Sequence, residues 1–169
     1  MDKKSKFLLL QVNDALFPIG GYSHSYGLET YIQKELVTNA AEAEAYIRNK
    51  LTQNLLYNEL FFCRLAWERA QAQDMEGLQE LEEVLEAGKV PSEIREASKK
   101  MGSRFAKTLK NCGIVYETPV FLRYLEKKKS GSAHHVIAYG IFCSSIGISL
   151  EDCLEHFLYA QTSAMVTNC

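Results

Sequence analysis

Cys153 and His156 stand three residues apart in a stretch of helical pattern. On a helix that spacing puts both side chains on one face, where they could supply two ligands to a metal ion. The plainer reading is a small apolar cysteine near the core and a histidine at the surface. His134 and His135 are adjacent. Helical neighbours diverge by about 100°, so this pair does not readily chelate one ion. A helix cap, a buried hydrogen bond or a contact surface suits them better. His24 is more open, because it lies in a glycine-rich loop that a partner or a surface-bound ion could reach. Alone, it makes a poor metal site.

That loop is the unusual stretch of the chain. Residues 16–30 read LFPIGGYSHSYGLET, with Pro18, Gly20, Gly21 and Gly27 set around Tyr22, Tyr26, Ser23, Ser25 and His24. Glycine supplies backbone freedom or close approach, and proline fixes a bend. The aromatic and polar groups between them can form a recognition surface. Glu29 follows Tyr26 by three residues, so it shares a helical face with it. It is either a solvated carboxylate or an interaction anchor. Arg95 and Arg104 lie on one helix with Glu93, Glu96 and Lys99, where charge pairs at helical spacing are ordinary. The partner-binding candidates are therefore Gly20, Gly21, Tyr22, His24, Tyr26, Glu29, Arg95 and Arg104. Gly102 and Gly140 sit inside helical patterns, at a cost of about 1 kcal/mol each against alanine. A close helix–helix approach or a partner contact would offset that.

Known nucleotide and catalytic motifs are missing. There is no GxxxxGK[ST] loop, no GxGxxG after a strand, no HExxH, no CxxC and no GxSxG. A formal net charge of −2 creates no field for nucleic acid or an anionic membrane. The one basic run, residues 127–129, reads as a solvated helix end. No secretory signal and no membrane span are expected, since the first apolar run is only residues 7–10. Five cysteines without close pairing point to reduced thiols and a cytoplasmic protein.

The elements that must position these groups are all helical in pattern. Residues 6–15 make a first helix that Pro18 stops. A second, short one opens at residues 23–26, with Leu28, Tyr31 and Ile32 as its apolar stripe. Thr38 or Asn39 caps a third, whose buried face is Ala43, Tyr46, Ile47, Leu51 and Leu55. The pattern runs on to Gln73, but a helix over residues 40–73 would be about 50 Å long. A break near Tyr57–Asn58 is therefore expected. Asp74 caps a helix over residues 75–87, with Gly88 as its C′ residue. Further helices follow over residues 91–110, from Thr118-Pro119 to Lys127, over residues 134–146, and from Leu150 to Val166. Residues 130–132 form a turn. The stretch 134–146 is apolar nearly all round and should be the central buried helix. Gly147 ends it, and Ser149 with Asp152 resembles a capping box. The expected fold is all-α, a single-domain orthogonal or irregular bundle of about eight to ten helices over residues 1–169.

Three segments together resemble the UreF family of urease accessory proteins. They are PIGGYSHSYGLET at residues 18–30, REASKKMGSRF at residues 95–105 and HHVIAYGIFCSSIGIS at residues 134–149. Their order and spacing match that family across essentially the whole chain. The resemblance implies an all-helical protein without catalytic activity or cofactor of its own. It implies a homodimer that binds UreH (UreD in many bacteria) and recruits the nickel-carrying GTPase UreG. That assembly delivers nickel to apo-urease and couples delivery to GTP hydrolysis, which makes this chain an adaptor. The alternative is a nickel-binding metallochaperone that carries the ion itself through His24, Cys153 or His156. Family members usually continue into a Pro-Leu-Gly-Gln-like motif and a C-terminal tail. That segment is absent here, and the resemblance implies that it orders on UreH.

Overall fold

Residues 135–145 are apolar on every side, so they can only form a stable helix if other helices surround them. They do so. The computed structural model describes residues 3–21, 27–128 and 133–169. Its helices are α1 (Lys3–Val12), α2 (Leu28–Gln33), α3 (Ala40–Asn49), a π-helical stretch (Lys50–Leu60), α4 (Phe61–Gln71), α5 (Met75–Gly88), α6 (Ser92–Lys110), α7 (Val120–Lys127), α8 (His135–Ser145) and α9 (Leu150–Asn168). No strand occurs among the described residues, and the fold is all-α. Every residue of α8 is buried. Helices α4, α6, α7 and α9 pack around it. None of these helices is long and apolar enough to cross a membrane.

Gly140 explains the closest of these contacts. A Cβ there would lie 2.5 Å from the Cys63 carbonyl oxygen of α4. Only glycine lets the two backbones approach so far. Trp67 on α4 then donates its indole N–H to the Ile148 carbonyl at 2.8 Å. Phe105 of α6 gathers the other side of the core. Its ring meets Phe17, Phe121, His135, Tyr139 and Phe142 at centroid distances of 5.4–6.5 Å, mostly edge to face.

The helix ends follow the sequence closely. Asn39 accepts from the Glu42 N–H, Asp74 from Gly77, and Ser149 from Asp152. Ser149 also donates to the Asp152 carboxylate at 2.6 Å, which completes the short capping box. Gly147, at φ 72°, turns the chain out of α8.

Four expectations need correction. α1 begins at Lys3 and ends at Val12, before Pro18 can act. The Asp14 carboxylate takes the Leu16 N–H at 2.7 Å, so a local side-chain turn ends this helix. On α2 only Leu28 is buried, while Tyr31 and Ile32 are exposed and Tyr31 packs on Tyr46 of α3. Gly88 is the last residue of α5 rather than a left-handed C′ residue.

The fourth concerns the break expected near Tyr57–Asn58. The chain stays helical from α3 through α4, because no glycine or proline interrupts it. The strain in periodicity is absorbed by the π-helical stretch instead. Leu51, Leu55 and Leu60 all pack on the core. Nine residues at about 100° each would put Leu60 opposite Leu51 in an α-helix. The wider π-turn, bonded i to i+5, keeps all three on one side. The same shift weakens the predicted face of α3, which has no fully buried residue.

Candidate functional site

The three unusual sequence segments meet in space. Ile19 is buried and anchors the first of them. The chain then turns at Gly20, φ 78°, over the surface of α6. Arg104 of α6 donates to the Ile19 carbonyl at 3.3 Å. A Cβ on Gly20 would fall onto the Arg104 guanidinium, and one on Gly21 would touch the Met101 sulfur at 3.5 Å. Gly20 thus lets the turn lie flat against α6, whereas a Cβ on Gly21 would make only ordinary contact. One turn of α6 therefore seats the opening segment, through Met101 and Arg104.

That same turn also seats the third segment. A Cβ on Gly102 would overlap the Ala133 carbonyl and lie 2.7 Å from the His135 nitrogen. The missing side chain brings the start of α8 into backbone contact with α6. The internal glycines 102 and 140 are both close-approach sites between helices.

The paired histidines then divide into two roles. His134 is buried between α5 and α6. Its Nδ1 meets Ser98 Oγ at 3.1 Å and its Nε2 meets a Glu86 carboxylate oxygen at 2.9 Å. An ionised Glu86 can only accept, so Nε2 carries the proton and Ser98 donates to Nδ1. Burial pulls the His134 pKa below its usual value, against the pull of Glu82 and Glu86. Glu86 itself is held low, first by Lys99 at 3.0 Å and then by His134. His135 points the other way, between Phe105, Tyr139 and Phe157. Burial pushes its pKa down to about 4, so it is a neutral ring at pH 7. Its Nε2 has no hydrogen-bond partner among the described residues.

His135 forms part of the lining of a cavity of about 280 Å³. Ile19 and Gly21, Met101, and Phe157 of α9 close it on other sides, so each of the three segments contributes to one hollow. Asn13 also lines it, but its amide is already used, donating to the Leu9 carbonyl and the Tyr139 hydroxyl at 2.8 Å each. The lining is an apolar floor with a few polar groups at its edge. Such a hollow suits the anchoring side chain of a partner.

The sequence candidates separate accordingly. Gly20, Gly21 and Arg104 come together here. Arg95 does not. It stands nine residues earlier on α6, donates to the Lys89 carbonyl at 2.9 Å and pairs with Glu86 at 3.4 Å, holding the α5–α6 connection. Glu29 is exposed in the first turn of α2. Tyr22, His24 and Tyr26 lie outside the described residues, as does the turn expected at residues 130–132. Asn13 and Phe157 were not anticipated. Asn13 follows the end of α1 and Phe157 lies on α9, and neither carried a local signal beyond helical pattern.

Cys153 and His156 share a helix face but not a site. Cys153 is in the core, its sulfur 3.7 Å from that of Cys63. The contact with Cys153, then burial, holds the Cys63 thiol well above its ordinary pKa, and burial does the same for Cys143, so both stay protonated. His156 is half-buried and uses Nδ1 on the Asp152 carbonyl at 2.9 Å. Among the described residues no group of three or more His, Cys, Asp or Glu is placed to hold a metal ion.

The UreF family model matches residues 37–169. The urease accessory protein UreF of Bacillus sp. (strain TB-90) is 33% identical over 162 residues, covering 95% of this chain and 70% of that protein. UreF of Corynebacterium glutamicum (strain R) is 32% identical over 99% of this chain and 73% of its own length. UreF of Haemophilus influenzae (strain PittGG) is 34% identical over 95% and 68% respectively. With the family model matching residues 37–169 and these relatives 32–34% identical over nearly the whole chain, the chain belongs to the UreF family of urease accessory proteins.

Proposed function

We propose that this chain is a non-enzymatic adaptor in urease maturation. It acts in the cytoplasm as a homodimer, joins UreH (UreD) to the GTPase UreG, and so delivers nickel to the urease active site. The ion is handled by the assembled complex. Family membership supports the urease context. The adaptor role rests on one observation: the three segments close on a single hollow held by Arg104, Gly102 and His135. A rigid turn beside an apolar hollow is a pre-organised binding surface, which lowers the ordering cost of association.

The test is co-purification of this chain with tagged UreG in the presence of UreH. A stable complex containing all three is expected, and its absence overturns the proposal. Arg104→Ala frees the Ile19 carbonyl and should lower recovery about tenfold, a loss of roughly 1.4 kcal/mol. Val84→Ala, on the exposed side of α5, should leave recovery unchanged.

A further inference from the structure

The π-helical stretch does more than preserve the core face. π-turns inside helices are rare and frequently mark functional sites. Here the stretch supplies one wall of a second cavity, of about 150 Å³, which adjoins the hollow described above at Gln161. Lys50, Asn54, Leu55, Asn58 and Glu59 come from it, at the four- and five-residue spacings of a π-turn. Pro91 and Ile94 close the far side, and Gln161 and Met165 of α9 form the end. The loop wall is preformed, since Arg95 bonds the Lys89 carbonyl at 2.9 Å.

Charge in this cavity is unbalanced. Lys89 is nearly buried and ion-paired with Glu59. Lys50 is half-buried, and its ammonium makes no hydrogen bond or salt bridge among the described residues. Desolvation pulls its pKa down, and the already paired Glu59 is the only counter-charge that opposes this. Two cations and one anion leave a single positive charge lining this half-open cavity. Asn54, Asn58 and Gln161 offer amide donors near it, while Leu55, Ile94 and Met165 offer an apolar bed. The cavity's volume is that of a ligand of about six carbon atoms.

We propose that this cavity binds a small organic carboxylate, with the carboxyl group on Lys50 and a short apolar tail against Leu55, Ile94 and Met165. The carboxylate could be that of a free acid or an acidic side chain of a peptide. Both present the same chemistry, and the site is independent of the adaptor reading.

The experiment is an NMR titration of the isotope-labelled full chain with isovalerate, its neutral analogue isovaleramide, and the peptide acetyl-Leu-Glu-Leu-amide. Saturable shifts confined to the π-helical stretch, residues 88–94 and α9 are expected, with Kd on the order of 1 mM for isovalerate. Isovaleramide should bind at least tenfold more weakly, and Lys50→Met should cost isovalerate a similar factor. Tighter binding of the peptide than of isovalerate, with the same dependence on Lys50, assigns the carboxylate to a protein partner. The reverse order assigns it to a free acid. Absence of saturation with both carboxylates, equal binding of amide and acid, or binding indifferent to Lys50→Met overturns the proposal. The acid–amide comparison on the unaltered chain needs no variant to fold.

Discussion

His135 is the residue with the most to say about stability. Its ring is neutral when buried, with a pKa of about 4 against an ordinary value of 6.5. Between these values the unfolded chain binds the extra proton and the folded chain does not, so stability rises with pH. The contribution is complete above about pH 6.5 and is lost as pH falls toward 4, on the order of 3 kcal/mol in all. His135→Phe keeps the ring packing against Phe105 and Phe157 and removes the titration. Urea unfolding at pH 7 and pH 5 should show a smaller acid loss in the variant. His134 titrates in the same direction, so some acid sensitivity should remain. Gly102 makes a second residue-scale prediction. Gly102→Ala drives a methyl into the Ala133 carbonyl and should cost roughly 3 kcal/mol or more. Gly88→Ala meets nothing within 4 Å and should change stability by less than about 1 kcal/mol. Urea midpoints of the two variants check the contrast.

At the scale of elements, ends were easier to read than interiors. The caps at Asn39, Asp74 and Ser149 are local chemistry, one side chain reaching one N–H three residues on. Ser149→Ala should therefore cost about 1 kcal/mol and Ser149→Asp much less, as read from the urea midpoint. The course of Lys50–Leu60 was not legible. The length of an unbroken helix over residues 40–73 suggested a break there. The chain instead runs on through a wider helix, visible once α4 and α9 are seen to need Leu55 and Leu60 on one side. The burial of α8 was plain from composition, because an apolar circumference has no other stable place.

At the scale of the whole molecule, one cluster of buried residues runs from Leu9 to Phe157 and draws on helices from both ends of the chain. Residues 1–169 are thus expected to unfold as a unit. Trp67, the one tryptophan, reports on the α4–Ile148 contact. Its fluorescence and the far-ultraviolet dichroism should trace the same denaturation curve, and separated midpoints would reveal independent parts. Phe105→Ala removes the ring on which five others converge. A loss of roughly 3–5 kcal/mol is expected, a large share of the total stability of a domain this size. Size-exclusion chromatography with light scattering checks the proposed homodimer, and a monomer at all concentrations would refute it.

By itself the sequence determined that the fold is helical, where most helices begin and end, which helix is central, and which three segments set the chain apart. These are properties of local spacing and composition, carried by hydrogen bonds between near neighbours and by one apolar circumference. Only the tertiary structure decided what the special residues do. Gly102 and Gly140 are contact points between helices, Arg104 holds the opening turn while Arg95 holds a different loop, and Cys153 faces Cys63 rather than His156. The physical reason is that each of these roles depends on an atom far away in sequence. Helical periodicity tells which way a side chain points from its own axis. It does not tell what another helix brings to meet it.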